Sequence, residues 1–389
     1  MGKYIILFCT LFAFWLAGCG NESGTSDGFA NGVEKRDGSE PYMLDVPPQD
    51  YNQAFVGDFV ETADGYYYGW KHRIYFCPRG EDCFYPLCSK PNCKHEDNNC
   101  NAWYGDCFGY YDGALYAATV SLSEPQQMDI IKMNLDGTDH QVVTTVNTKM
   151  VEGRYSYRFH HGRFYIFNCL SIDTEKTDHL FALNLSDYSI TDYPQTVKIQ
   201  FFDNFYEEKL YGTAFAVKNP GEVEPYEFQV IEMDTATGED RVVVSQSVGS
   251  FYATDTTLYY YEADLSKLNQ IYGTAYEKGN PGFRELDLQS GEIKDCGLPV
   301  ENILNAYYDK DYIYATSFYL NENKDTTRFF LSKDYKLVDQ IDLSGGLEIA
   351  SVCSDRIFLK DKAQRITYYL DKSQIGSGEL TLIPIETVG

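Results

Sequence analysis

The chain has 389 residues, of which 58 are acidic and 32 basic, so its formal net charge is −26 at pH 7. A chain this acidic repels nucleic acid, and we expect neither a nucleic-acid partner nor attraction to anionic lipid beyond an anchor. Aromatic residues make up 16% of the sequence, with 34 tyrosines. Short apolar or alternating runs between turn residues predict an all-β fold.

The N-terminal segment, MGKYIILFCTLFAFWLAGCG, predicts export from the cell. Lys3 precedes an apolar run that ends near Ala17, and this run is too short for a comfortable membrane span of about 20 residues. Its charged and apolar regions are those of a signal peptide, which we assign to residues 1–18. Under the alternative of an ordinary signal peptide, without a lipid anchor, Cys19 follows this segment by chance.

The residues Leu16-Ala17-Gly18-Cys19 resemble the bacterial lipobox. The resemblance implies that Cys19 is lipidated, becomes the first residue of the mature chain and anchors it at the extracellular face of the membrane. Two or more acyl chains, such as palmitate, would hold a protein there stably. Residues 19–41 are rich in Gly, Ser, Asn and charge, which predicts a flexible tether.

A turn followed by apolar and aromatic residues recurs seven times beyond the tether. Its fourth residue recurs every 44 to 55 residues, at Tyr67, Leu115, Phe164, Leu210, Leu258, Ile313 and Ile357. A second hairpin pattern accompanies these positions, as in IIKMNLDGTDHQVV from Ile130. Asp-Gly and Thr-Gly pairs supply the backbone freedom of its tight turns. Two hairpins give each unit four strands.

Repeated four-stranded units without helices between them predict a β-propeller over residues 42–389, with seven blades, or else six or eight. One small sheet cannot bury both of its faces alone, whereas blades in a ring cover one another. We therefore expect few exposed strand edges. The regular spacing disfavours a two-domain β-sandwich protein, and a repeat of about 48 residues is long for a linear β-solenoid.

Six of the eleven cysteines lie in an insertion at 77–107 within the first unit. Cys77 and Cys83 flank the turn of its second hairpin, where facing Cα atoms approach to about 5 Å. This separation suits a disulfide, and the oxidising exterior of the cell permits one. Cys77 and Cys83 are therefore candidates for a disulfide.

Four further residues of the insertion, Cys88, Cys93, His95 and Cys100, lie within thirteen positions. Three thiolates and one imidazole suit a tetrahedral Zn²⁺ ion. The alternative is a pair of disulfides among the three cysteines and Cys107, which the even number of cysteines in the insertion, six, favours. Either arrangement is structural, so the expected cofactor is one structural zinc or none.

The segment PLCSKPNCKHEDNNCNAWY, the lipobox and the repeated YDGALY and IIKMNLDGT patterns resemble secreted lipoproteins of Clostridia-type Gram-positive bacteria. These lipoproteins carry a propeller-like domain of unknown function, related to TolB-like and low-density-lipoprotein-receptor-type propellers. The resemblance covers most of the mature chain and implies that Cys88, Cys93, His95 and Cys100 act as one unit. It implies fold and location, because the family has no established activity.

The sequence has no G-x-S-x-G elbow, P-loop, H-E-x-x-H or G-x-G-x-x-G motif, and no catalytic residue is assigned. We expect a monomeric, non-enzymatic cell-surface protein that binds a glycan or protein or acts as a scaffold, with Trp70 and Trp103 near the first unit's loops. The alternative is an extracellular polysaccharide-acting enzyme with acids at the ring's opening. A third hypothesis is an envelope-assembly partner. The doublet His160–His161 predicts a surface turn.

Overall fold

The computed structural model describes residues 59–96, 99–105, 107–120, 127–147, 154–169, 179–193, 199–217, 226–245, 248–262, 282–297, 299–300, 303–309, 311–317 and 326–388. The expected signal peptide, Cys19 and the tether lie outside these ranges. Within them, no helix reaches the length and apolarity that crossing a membrane requires.

The described residues form seven antiparallel sheets of four strands each, with strand order following the chain. The strands of the first four sheets are β1 (Phe59–Glu61), β2 (Gly65–Trp70), β3 (Arg73–Pro78), β4 (Cys83–Pro86), β5 (Cys107–Tyr111), β6 (Ala114–Val120), β7 (Gln127–Met133), β8 (Gln141–Asn147), β9 (Arg154–His160), β10 (Arg163–Cys169), β11 (His179–Asn184), β12 (Ile190–Tyr193), β13 (Ile199–Tyr206), β14 (Lys209–Val217), β15 (Tyr226–Asp234) and β16 (Asp240–Val244). Those of the last three are β17 (Val248–Ala253), β18 (Thr257–Glu262), β19 (Gly282–Asp287), β20 (Ile293–Gly297), β21 (Ile303–Tyr308), β22 (Tyr312–Ser317), β23 (Thr326–Ser332), β24 (Leu337–Leu343), β25 (Glu348–Val352), β26 (Arg356–Lys360), β27 (Ile366–Asp371) and β28 (Ile383–Pro384). A final short strand, β29 (Glu386–Thr387), pairs in parallel with β4. The predicted seven-bladed propeller with four-stranded blades is confirmed.

The first strand of each blade lies innermost. The first strands of the first six blades touch in succession, β1 with β5, β5 with β9, and so on to β17 with β21. The fourth strands lie outermost, and most of the large exposed apolar side chains are on them, at Tyr85, Val142, Ile190, Val242, Ile293 and Leu337.

Buried side chains form seven clusters, and each cluster joins two neighbouring blades. One of them joins the seventh blade to the first, with Tyr66 and Phe84 packed against Phe358 and Tyr369. Each fully buried apolar side chain contributes about 1.5–3 kcal/mol relative to an exposed one. Because one cluster joins the seventh blade to the first, the ring is closed and every blade buries both faces against its neighbours.

The repeated motif marks the second strand of every blade, but its first occurrence is displaced by one residue. Leu115 packs against the preceding blade, as do the later anchors. In the first blade, Tyr66 packs against the preceding seventh blade, whereas Tyr67 packs towards the second. The equivalent position is therefore Tyr66. Three successive tyrosines in DGYYY hide this offset, because alternate residues of a strand face opposite sides.

The turn between the third and fourth strands of a blade contacts the preceding blade, and this contact also closes the ring. In the fourth blade, the Thr235 carbonyl accepts a hydrogen bond from Tyr193 Oη at 2.7 Å. In the first blade, the Glu81 carbonyl accepts one from Arg356 Nη1 at 2.8 Å. Asp82 Oδ1 there accepts another from Tyr369 Oη at 2.7 Å. The first and seventh blades therefore meet through the same kind of turn contact as the third and fourth blades.

Candidate metal centre and aromatic surface

The cysteine-rich insertion interrupts the outer edge of the first blade. β4 pairs with Tyr75 and Phe76 in β3, but it ends at Pro86. Ile74 N–H then donates to the Ala102 carbonyl at 2.8 Å, and Arg73 forms an isolated bridge with Trp103. The insertion thus leaves the sheet after β4 and returns to it at residues 102–104.

Four donor atoms converge within this insertion. The ligand atoms of Cys88, Cys93, His95 and Cys100, hereafter the Cys/His cluster, all lie within 4.8 Å of one another. His95 Nδ1 is 3.2 Å from Cys100 Sγ. Cys100 is buried and the other three are half-buried. The structure therefore brings together all four residues that the sequence suggested as metal ligands.

Backbone N–H groups point at two of these sulfur atoms. Ala102 N–H donates to Cys100 Sγ at 3.4 Å, and Cys88 Sγ accepts hydrogen bonds from backbone N–H groups of Lys90 and Asn101. In both cases, a donor two residues after the cysteine supports its sulfur. No sequence pattern indicates these donors, because every residue type except proline supplies a backbone N–H.

The ionisation of the Cys/His cluster follows from burial and from these hydrogen bonds. Burial opposes ionisation of Cys88, but the N–H donors and neighbouring thiols hold its pKa below the ordinary value. Burial raises the pKa of Cys100 to about 12. Burial and the charge of Arg73 lower the pKa of His95, which favours the neutral imidazole. A neutral imidazole is the form that ligates metals.

Cys77 and Cys83 do not form a disulfide in the structure. Extending the register of Tyr75 with Pro86 places Cys77 opposite Phe84, and both lie in the core between the first and seventh blades. Cys83 then faces the other side of the sheet, because neighbouring strand residues alternate. Burial raises the pKa of Cys77 to about 12. The disulfide between these cysteines stays a prediction, and this register does not favour it.

Cys107, the remaining cysteine of the insertion, is placed away from the Cys/His cluster. It is buried in β5, within the core between the second and third blades. Cys100, by contrast, belongs to the core between the first and second blades. The disulfide alternative assigned Cys107 to the same set as the cluster cysteines, and this placement gives it a different environment.

The tip of the β2–β3 hairpin lies next to the returning insertion. Trp70 pairs with Arg73, and the two residues between them, Lys71 and His72, have φ angles of 50° and 60°. Two successive positive φ values define a type I′ turn, which normally needs Asn or Gly. The sequence WKHR lacks that signal, so sequence reasoning missed this turn.

Two tryptophans lie beside this hairpin turn. Trp70 Nε1 donates to the Ala363 carbonyl at 3.1 Å, and Lys71 Nζ lies 4.5 Å from the centroid of its ring. The His72 ring is 5.4 Å from Trp103, and His72 Nδ1 is 2.7 Å from the Gly105 carbonyl. Both indoles are partly exposed, and Lys71 and His72 are exposed. We call Trp70, Lys71, His72, Arg73 and Trp103 the aromatic tip.

The histidine doublet is not simply a surface turn. His161 is exposed, but His160 is 4% exposed and stacks on Phe205 at 4.6 Å. His160 Nε2 lies 2.8 Å from the Glu207 carbonyl. Burial, with the charge of His161, lowers the pKa of His160 to about 3. His160 therefore fills a core position between the third and fourth blades.

Ionisable side chains converge in the insertion and also where the sixth blade meets the seventh. Among the described residues, the Cys/His cluster is the group in which three or more His, Cys, Asp or Glu ligand atoms converge. Asp309 and Asp311 both pair with Lys372 Nζ, at 2.7 and 3.4 Å.

No protein-family model matches the chain, and no curated protein matches it. Among solved structures, one from a study of two prolyl endopeptidases superimposes with a TM-score of 0.54 at 9% identity, over 86% of this chain and 49% of that one. The chain thus spans about half of that endopeptidase.

Two further structures are less similar. An uncharacterized protein from Listeria monocytogenes has a TM-score of 0.45 at 9% identity, with 70% of this chain and 80% of that chain covered. TolB from Acinetobacter baumannii has a TM-score of 0.35 at 9% identity, with 72% and 61% covered. At such low identity these similarities concern the fold alone. The chain is a seven-bladed β-propeller, and its fold is similar to that of the structure from the prolyl endopeptidase study.

Proposed function

We propose that the chain is a non-enzymatic surface protein whose propeller binds extracellular glycans at the aromatic tip. The proposal rests on Trp70 and Trp103, two partly exposed indoles that are held at one end of the first blade. Indole rings present a large flat apolar face on a rigid side chain, which suits stacking against the C–H face of a sugar ring.

The backbone of the tip supports a binding role. Lys71 and His72 both occupy the left-handed region, which costs about 1–2 kcal/mol for each residue other than glycine. Strained conformations of this kind concentrate at binding sites, where the surrounding structure holds them. Here the strain directs two exposed polar side chains next to the two indoles.

The charge of the tip favours acidic sugars. Lys71 and Arg73 stand beside the indoles, and Lys90 and Lys94 are exposed on the adjoining insertion. These four cations lie near one another in sequence on a chain whose net charge is −26, and the insertion also carries the exposed acid Glu96. A local cationic surface attracts carboxylate- or sulfate-bearing saccharides and helps to orient them. We therefore expect uronate-containing glycans to bind more tightly than neutral ones.

Replacing Trp103 with alanine should weaken glycan binding roughly 30-fold, because truncating a central aromatic contact costs about 2 kcal/mol. The measurement is a glycan-array screen of the full chain in detergent, followed by titration of the best oligosaccharide by calorimetry.

Lys71→Glu should reduce binding of acidic oligosaccharides and leave that of neutral ones nearly unchanged.

Tyr85→Ala is the matched control, since Tyr85 is an aromatic residue of the same blade that is 40% exposed but lies on the outer strand. It should bind as the unmodified chain does. Equal affinities for Trp103→Ala and the unmodified chain would place the site elsewhere, and an array without any bound glycan would refute the proposal.

We also propose that Cys19 anchors the protein by a lipid at the extracellular face of the cell membrane. The support is the Leu16-Ala17-Gly18-Cys19 sequence alone. Cys19→Ala should move the protein from the membrane fraction to the medium or leave it unprocessed, and it should abolish labelling by radioactive palmitate. Labelling that persists in Cys19→Ala would rule out this anchor.

A further inference from the structure

We infer that the Cys/His cluster binds one Zn²⁺ ion in a closed tetrahedral site, and that this ion holds the insertion on the propeller. The inference goes beyond glycan binding, and its test needs no glycan. Three sulfurs and one imidazole nitrogen are the ligand set of a structural zinc site. With four protein ligands, no open position remains for catalysis.

The spacing of the donor atoms fits zinc. Sulfur ligands about 2.3 Å from a tetrahedral ion are about 3.8 Å from one another. The four ligand atoms lie within 4.8 Å of one another, so closing around an ion needs shifts of about 1 Å or less. Soft thiolates in tetrahedral geometry select zinc over oxygen-preferring cations such as Ca²⁺ or Mg²⁺.

A disulfide does not account for the same observations. It would join two of the three thiols and leave the third beside His95, while none of the three is bonded to another cysteine in the structure. It would also leave unexplained the Ala102 N–H group that donates to Cys100 Sγ at 3.4 Å. Such a donor stabilises the negative charge of sulfur, which a thiolate bound to a metal retains and a disulfide lacks.

The insertion has few apolar side chains with which to pack on the propeller, so another interaction must stabilise its fold. Residues 88–100 contain no Ala, Val, Leu, Ile, Met, Phe, Tyr or Trp, so this stretch contributes little apolar surface to a core. Leu87, Ala102 and Tyr104, which flank it, are buried. Metal coordination can supply the folding free energy that such a segment lacks. The ion would also fix the backbone that leads into Trp103.

The test is metal content of the full chain, purified in detergent without added metal or chelator. Inductively coupled plasma mass spectrometry should find one zinc per chain. His95→Ala should lower zinc affinity at least about tenfold, while His95→Cys, which supplies a fourth thiolate, should retain one zinc. Cys83→Ser, which removes a half-buried cysteine outside the cluster, should also retain it.

Cobalt exchanged for zinc should show thiolate-to-metal charge-transfer bands and strong visible bands of tetrahedral cobalt, and His95→Ala should lose them. Hydrogen exchange should be at least about tenfold faster over residues 87–104 in His95→Ala, with the last six blades unchanged. Zinc-free protein in which at most one of the three cluster cysteines reacts as a thiol would overturn the inference. One zinc retained by His95→Ala with unaltered cobalt spectra would also overturn it.

Discussion

Replacing Phe358 with alanine should lower the free energy of unfolding by about 3–5 kcal/mol, the cost of removing a buried aromatic ring. Phe358 is fully buried. Its centroid lies 5.2 Å from Phe59, 4.9 Å from Tyr66 and 5.7 Å from Phe84. All three neighbours belong to the first blade, whereas Phe358 belongs to the seventh. The substitution therefore opens a cavity where the two ends of the ring meet.

Urea unfolding followed by tryptophan fluorescence measures this loss, since Trp70 and Trp103 report on the first blade. Tyr85→Ala is again the control, because Tyr85 is exposed, and it should change stability by less than about 0.5 kcal/mol. If Phe358→Ala costs less than about 1 kcal/mol, the seventh and first blades are not packed as the structure places them.

Lys372→Met should destabilise the protein by about 3–5 kcal/mol, because it leaves a buried carboxylate without its cation. Lys372 Nζ lies 2.7 Å from Asp309 Oδ2, and the two side chains are 6% and 0% exposed. Asp309 Oδ1 also accepts N–H groups of Asp311 and Tyr312 at 2.7 Å. Those bonds hold the carboxylate in place, so it cannot turn towards water.

A double-mutant cycle separates the ion pair from the packing of the lysine chain. Asp309→Asn combined with Lys372→Met should recover part of the loss, because it removes the uncompensated charge. Lys336→Met is the control, since Lys336 pairs with Asp334 at 3.6 Å with side chains 78% and 79% exposed. An exposed pair contributes about 0–1 kcal/mol. Equal losses for Lys372→Met and Lys336→Met would contradict the buried pair.

The repeat predicted the architecture because a blade is a local unit. Both of its hairpins form between neighbouring stretches of the chain, so turn residues and strand alternation are visible at a fixed spacing. The offset at Tyr66 and Tyr67 marks the limit of this signal. Which of two adjacent tyrosines faces the preceding blade depends on the register with β3, and three tyrosines in succession fit either register equally well.

For the cysteines too, spacing along the chain predicts some features, and strand register in the folded protein decides others. Spacing placed Cys88, Cys93, His95 and Cys100 together because a short loop leaves them few ways to separate, and the structure brings their ligand atoms within 4.8 Å. Spacing could not assign a face of the sheet to Cys83. A shift of one residue in register turns a strand side chain from one face to the other.

The sequence by itself determined the all-β class, the seven repeats and the grouping of the four cluster residues, since each depends on neighbours along the chain. Only the tertiary structure decided how the ring closes, which surface carries Trp70 and Trp103, and that Asp309 meets Lys372. Ring closure joins the two blades farthest apart in sequence, as Tyr66 Oη shows by donating to Asp355 Oδ1 at 2.5 Å. Such pairings arise from the packing of whole sheets, and no local pattern of residues encodes them.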